Sequence, residues 1–358
     1  MNNQEEFQER PVTFEPPEHH FVFLIAADGT LLGVNDDGDL ALFDDADDRV
    51  IWDLGSEGVK HVSSGKMVPT EIKEDACSLP VGVDEVTLIV ARGPEKLPSE
   101  YLDHFKREGW VCLTSILTPE IVERLQWVGG VDRHEHLEAR NDSPKVCQDV
   151  AVGRAICEPI SLWLIRQYLQ TRDLHLGHPP NVMSLSPYDG KSRVQGWHSD
   201  IPYGRKNGAD RKGPLKAVQR NVCVSDFAKA NGATAYKLGS HVDDNLPPSE
   251  WNPALDGPDF FGGTSPTARP YSGPESDVVE APAGSIVIYD ARTWHRAGFN
   301  HSEHKRGSML MSFQTADVPP KKDTRPTCKK LHESPVYQEL NALQQREITE
   351  LMMNQPGE

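Results

Sequence analysis

Apolar and polar positions change texture twice along the chain. Residues 21–25 are an apolar, β-prone run, and residues 31–34, 40–43, 49–52, 59–62 and 85–90 continue a series of short runs. Asp28-Gly29 and Asp37-Gly38 between them are hairpin-type turns. This spacing predicts a small all-β module over residues 19–93. Ahead of it, residues 1–18 are polar and end in Pro16-Pro17, which reads as a mobile arm. A Pro/Gly linker at 93–98 then gives way to helical periods. Ser99 is the expected cap of a helix carrying Leu102 and Phe105 and stopped by Gly109, and residues 110–114 make a strand. Thr118-Pro119-Glu120 opens a second helix through Ile121, Val122 and Leu125, and Ile156, Ile160, Leu164 and Tyr168 mark another. From Val182 the texture returns to β, with strands at 182–185, 194–200, 218–224, 285–289 and 309–313. Long loops at 202–216 and 246–277 separate them, and a charged linker at 319–330 leads to a terminal helix over 335–353.

Composition narrows the partners. Lys plus Arg number 37 against 54 Asp plus Glu, a net charge of −17. Such a surface repels nucleic acid and anionic membranes, so neither is an expected partner. The six cysteines contain no CxxC pair, which excludes a disulfide framework or thiolate zinc site and fits a reducing cytosol. Residues 1–18 lack an apolar core and no run of eighteen apolar residues follows, so the expectation is a cytoplasmic protein without export signal or membrane span. The acidic run Asp44, Asp45, Asp47 and Asp48 lacks the Gly and Glu of a calcium loop and reads as a solvated turn.

The candidate chemistry centres on Trp197-His198-Ser199-Asp200. Residues i and i+2 of a strand share a face, so His198 and Asp200 aim a nitrogen and a carboxylate at one point. His295, which follows the apolar strand 285–289, is the candidate for a second histidine. Two histidines and one carboxylate on one face of a metal leave open positions, the arrangement usual in non-haem Fe(II) oxygenases. His301 and His304 lie in a polar stretch and are weaker ligand candidates. Arg296 directly follows His295 and so points to the opposite face, whereas Arg306 opens a strand and favours an inward role. Trp197 and Trp294 are expected on the far faces of their strands, and His241 at the Gly239-Ser240 turn. His134, Glu135 and His136 read as a surface loop or lid. The basic loop with Arg205, Lys206, Arg211, Lys212 and Lys216 is either a solvated lid or a steering surface for an anionic substrate.

The order Gly109-Trp110-Val111-Cys112-Leu113, His198-Ser199-Asp200, Asn231-Gly232-Ala233-Thr234 through Gly239-Ser240-His241, Ala283-Gly284-Ser285, His295 and Arg306 resembles the phytanoyl-CoA dioxygenase family of Fe(II)/2-oxoglutarate-dependent oxygenases. The resemblance spans residues 98–318. It implies a mainly β fold with flanking helices, a double-stranded β-helix (a cupin-like jelly roll) over residues 94–318, with the small all-β module before it and a linker and helix at 319–358 after it. It implies iron held by His198, Asp200 and His295. It implies 2-oxoglutarate chelating that iron, with its distal carboxylate on Arg306, a bidentate partner suited to it, and Thr234 assisting. Gln195 stands near the ligand pair, one place further away than the resemblance suggests. Ala297 departs from the family's frequent Ser or Thr. The implied reaction consumes dioxygen, with ascorbate as reductant, and hydroxylates an unactivated C–H bond of a small organic substrate with succinate and CO2 as co-products. A carboxylate at Asp200, where related halogenases carry a small residue, argues for hydroxylation. The rivals are a cupin-type Zn(II) or Mn(II) hydrolase without 2-oxoglutarate and a non-catalytic binding protein acting through the N-terminal module.

Overall fold

The computed structural model describes residues 9–137, 141–189, 195–204, 209–248, 251 and 275–356. The chain opens with β1 (Glu9–Thr13), a strand within the segment expected to be a mobile arm. Its polar residues gave no apolar signal, yet it adds in parallel to β-structure 267 residues further on, where Arg10 bonds Asp277. The module follows as β2 (Val22–Ala26), β3 (Leu31–Val34), β4 (Leu40–Phe43), β5 (Trp52–Gly55), β6 (Gly58–His61), β7 (Met67–Val68), β8 (Ala76–Val81) and β9 (Asp84–Arg92), all in one sheet. Residues 48–50, expected in part as strand, form a 3-10 turn capped by Asp47.

Next come α1 (Pro98–Glu108), β10 (Trp110–Leu113), α2 (Pro119–Gly129), α3 (Val150–Ile156) and α4 (Pro159–Leu169). Gly109 ends α1 in the left-handed region at φ 74°. The β-rich part contains β11 (Leu174–Leu176), β12 (Asn181–Leu185), β13 (Ala217–Cys223), β14 (Ala235–Lys237), β15 (Ser276–Glu280), β16 (Ile286–Asp290), β17 (Trp294–Arg296) and β18 (Arg306–Thr315). The chain closes with α5 (Arg325–His332), α6 (Pro335–Gln338) and α7 (Ala342–Met353). The expected terminal helix is thus two helices, because Asn341 starts a new one with a capping box to Gln344.

Two of the sheets face each other as the jelly roll that the sequence led us to expect. The larger has the order β10-β16-β13-β18-β11, with β12 also on β18, and every pairing is antiparallel. The smaller has the order β1-β15-β14-β17. Strand alternation divides the larger sheet sharply. Val218, Val222, Met309, Met311 and Phe313 face outward into the main hydrophobic core beneath the helices. The alternate positions Gln219, Asn221, Arg306, Ser308, Ser312 and Gln314 are buried and polar. Buried polar groups are costly unless partnered, so this inner wall is suited to a polar ligand rather than to a second apolar core.

The module's sheet also has two faces. Val22, Leu24, Leu32, Trp52 and Leu88 make its own core, while Phe23, Leu31, Val50 and Ile51 join the main core of the larger unit. The acidic run is the docking strip rather than a merely solvated turn. Asp44 binds Arg346 of α7, Asp45 binds Arg172, and Asp48 accepts from the Ser99 N–H and Oγ at the start of α1. Ser99 is therefore a donor to an outside acid, and Leu97, not Ser99, holds the cap position. Leu343 N donates to Asp28 O at 2.8 Å, which ties α7 to the first hairpin of the module. Beneath this joint, Arg166 and Glu347 form a buried, two-pronged ion pair. Among the described residues, no helix is long and apolar enough to cross a membrane.

Removing one partner of that pair strands the other charge in the interior. Arg166→Met is expected to lower the unfolding free energy by about 3 kcal/mol in urea denaturation. Arg166→Met combined with Glu347→Leu should recover most of that loss; an equal loss in both variants would show that the pair is not the cause.

Candidate metal centre

The HxD segment is shorter as β-structure than the predicted strand 194–200. Residue 194 lies outside the described residues, and His198 makes an isolated antiparallel bridge. That bridge is what assembles the site. His198 N donates to His295 O and His295 N donates to His198 O, both at 3.0 Å. Asp200 N to Ala291 O at 2.8 Å and Ala297 N to Gln195 O at 3.0 Å extend the zipper on either side. Residues directly opposite in an antiparallel pair present their side chains to the same face. His198 and His295 therefore point together, and Asp200, two positions on, joins them.

The three side chains converge as expected. The imidazole centroids are 4.1 Å apart. Asp200 lies 3.3 Å from His295 Nε2 through Oδ2 and 3.7 Å from His198 Nε2 through Oδ1. All three potential ligand atoms lie within 4.8 Å of one another. Each imidazole is oriented from behind: His198 Nδ1 donates to Gly196 O at 2.7 Å and His295 Nδ1 to Thr293 O at 2.9 Å. A carbonyl can only accept, so each Nδ1 carries a proton and each Nε2 is the atom turned toward the common point of the three side chains. Burial and the neighbouring His295 push the His198 pKa down to about 4. Burial opposes charge on Asp200, but both histidines outweigh it and hold its pKa below the usual value. Burial likewise opposes a charged His295, and Asp200 overcomes it and raises the pKa. An N2O donor set with an ionised carboxylate suits a borderline divalent cation.

Two tyrosines that sequence reasoning passed over complete the surroundings. Tyr289 of β16 lies 5.1 Å from the His295 ring, close enough to Asp200 for that carboxylate to oppose charge on its buried phenol. Tyr236 of β14 is paired in register with His295, its ring 6.1 Å from that imidazole and 5.0 Å from Tyr289. Their only signal was strand alternation, with Tyr236 two places after Thr234. Thr234 is half-buried, two places before Tyr236 in the chain, and favours charge on the Tyr236 phenol against its burial. Gln195 Nε2 is 2.7 Å from His198 Nε2, at the face a cation would occupy.

Arg306 is buried at the start of β18, over the Phe227 ring at 4.3 Å, and its Nε and Nη1 find no partner among the described residues. Burial depresses its pKa to about 10, with Cys223 and Tyr236 opposing. A buried, unpaired guanidinium calls for an anion.

The other flagged residues stand apart from the triad. His304 is exposed beside Glu135 at 3.5 Å, and His301 packs near Phe299 at 6.1 Å. The His241 ring lies against Gly109, where a Cβ would meet it at 2.4 Å. Arg296 is on the outer face, as its position predicted, bonded to Glu9 of β1 and 5.6 Å over Trp197. Trp197 and Trp294 are also on that far face, packed on Trp251 at 5.9 and 5.5 Å. Of the basic loop, Arg205 and Lys206 lie outside the described residues, as does most of the loop over 246–277. Arg211 is neither lid nor steering charge. It is buried and donates to Asp243 O, Ser199 Oγ, Ser240 O and Arg292 O, clamping the segments that carry His198, Asp200 and His295.

The family description "Phytanoyl-CoA dioxygenase (PhyH)" matches residues 105–308, more than half of the chain. The chain belongs to the phytanoyl-CoA dioxygenase family. The expected kinship is thereby borne out. "Dioxygenase olcK" of Penicillium canescens is 25% identical over 142 residues, 39% of this chain and 40% of that protein. "Dioxygenase af480" of Aspergillus fumigatus is 32% identical over 101 residues, 28% of this chain and 26% of its own length. The chain thus spans less than half the length of these curated relatives. Among solved structures, the epimerase SnoN in complex with Fe3+, alpha ketoglutarate and nogalamycin RO aligns at 16% identity and a TM-score of 0.43, over 62% of this chain and 85% of that one. A second SnoN structure aligns at 17% identity and a TM-score of 0.42, over 61% and 81%.

Loss of one ligand should be felt in metal affinity before any assay of turnover. Asp200→Ala is expected to weaken Co(II) binding by more than about 100-fold in absorption titrations, while His304→Ala leaves it unchanged. Equal affinities would remove Asp200 from the metal centre.

Proposed function

We propose that this family member is an Fe(II)- and 2-oxoglutarate-dependent dioxygenase that hydroxylates an unactivated C–H bond of a small organic substrate. The unit carrying the chemistry is residues 94–318, with 19–93 as a docked module and 319–358 as the closing helical segment. The observation that carries the reading is the pairing of a facial His198–Asp200–His295 set with a buried, anion-seeking Arg306 in the same chamber. When bound, iron and 2-oxoglutarate activate dioxygen, with succinate and CO2 as co-products and ascorbate as a supporting reductant.

The chain's residues do the rest. His198, Asp200 and His295 hold one face of the metal and leave the other open to cosubstrate and dioxygen. Their Nδ1–H···O=C bonds, with the Tyr289 ring packed beside His295, keep the donors aimed without rearrangement. Arg306 receives the distal carboxylate, assisted by Thr234, and Gln195 beside His198 turns its carboxamide to the bound cosubstrate. The ionised Asp200 occupies the position that a halide would need. The helix-covered outer face of the larger sheet keeps water from the chamber. A metal hydrolase would leave Arg306 without a partner, which disfavours that rival. The six cysteines form no disulfide, which supports a cytoplasmic location.

Succinate formation from 2-oxoglutarate, with Fe(II) and ascorbate, tests the reading directly. Arg306→Ala should raise the 2-oxoglutarate requirement by about 100-fold, the loss of a charge-assisted, two-pronged contact. Hydrolysis that survives Arg306→Ala and needs no 2-oxoglutarate would sink the proposal.

A further inference from the structure

The match to the family begins at residue 105, yet a strand almost a hundred residues earlier reaches the back of the metal centre. The smaller sheet has the order β1-β15-β14-β17, so two strands separate β1 from the strand that carries His295. The Glu9 carboxylate nevertheless accepts from the Arg296 guanidinium. Register shows the path. Glu9 lies opposite Ser276, Arg296 opposite Ala235, and Ala235 opposite Val278, two places from Ser276. These side chains therefore share the outer face of the sheet. Ser276 and Ala235 are small, which leaves two long side chains room to meet above them. Arg296 is only 1% exposed, and a guanidinium so placed needs a counter-charge close by. Glu9 brings one, with Lys229 Nζ 3.8 Å from its other oxygen.

The ion pair stands behind both histidines. Arg296 directly follows His295, and its guanidinium lies 5.6 Å over the ring of Trp197, which directly precedes His198. Arg296 Nη1 also donates to Ala297 O at 3.1 Å, beside the Ala297 N to Gln195 O bond that extends the ladder between the two segments. On the other face of β1, Val12 and Phe14 pack against the cluster that includes Tyr236 and Tyr289, with the Phe14 ring edge-on to Trp110 at 5.9 Å. β1 thus grips the smaller sheet from both sides.

We infer that Glu9 is a positioning residue for the metal centre. Through Arg296 and Trp197 it fixes the two backbone segments that aim His295 and His198, and residues 9–14 belong to the working unit although they lie outside the segment matched to the family. The inference rests on the metal centre described above and not on which reaction that centre supports.

Co(II) titrations of the full chain, followed by absorption and with thermal midpoints taken alongside, test it. Glu9→Gln keeps the shape of the side chain and removes its charge. It should lower the midpoint, weaken Co(II) by about tenfold, as loss of an outer partner of a metal ligand does, and speed amide hydrogen exchange at His198 and His295. Arg10→Ala removes another ion pair of β1, the one with Asp277, and should leave Co(II) affinity as in the wild type. Glu9→Gln combined with Arg296→Met removes the stranded charge, so the midpoint should recover while Co(II) affinity stays low. Wild-type affinity in Glu9→Gln, an equal loss in Arg10→Ala, or affinity that recovers together with the midpoint in the double variant overturns the inference and leaves the metal centre standing. Wild-type protein that fails to bind Co(II) overturns the metal centre, and this inference with it.

Discussion

Two backbone hydrogen bonds between His198 and His295 set the geometry of everything else in the site. They join segments almost a hundred residues apart as directly opposed partners, and side-chain direction then follows from pleat alone. A slip of one residue in this register would turn one imidazole outward. The structure guards against a slip from several sides. Asp200 N and Ala297 N extend the ladder, and the Arg211 guanidinium spans Ser199, Ser240 and Arg292. In this register the Arg211 guanidinium satisfies the Ser240 and Arg292 carbonyls and the Ser199 hydroxyl.

The contrast between the two faces of the larger sheet explains how a buried chamber can be polar without unfolding the domain. Apolar alternate positions on β13, β16 and β18 join the helices in one continuous core. Even the cation on that side, Arg220, is fully satisfied at its terminal nitrogens: it donates to Ala155 O, Ile156 O and Ser161 Oγ and stacks at 4.8 Å on Phe313. Arg306, on the opposite face, is left with two nitrogens unmatched. Two buried arginines on adjoining strands thus have opposite meanings. One is a structural strut, and the other faces a space meant for something else.

Much of this was legible from the chain alone, and the limits have physical causes. His198 and Asp200 were readable because period two is a local property, and His295 because it trails an apolar strand. Arg306 was readable from its place at the head of β18. Tyr236 and Tyr289 were not, because a buried aromatic on a strand looks the same whether it fills a core or lines a chamber. The part played by Asp44, Asp45 and Asp48 was hidden for another reason. Their partners Arg346, Arg172 and Ser99 are remote in sequence, so only the fold reveals a strip of acids as a joint. Arg211 was misread because a basic residue in a Gly-rich loop carries no mark of burial.

The amino-terminal strand has a consequence for the order in which the molecule can be built. β1 precedes its partner β15 by 267 residues, and the ion pair of Glu9 with Arg296 spans still more chain. Closure of so long a loop is slow, and the waiting strand has nothing local to pair with. The smaller sheet therefore cannot be completed until β15 and β17 have been made. Until then the outer face of the His295 strand lacks the contact between Arg296 and Glu9.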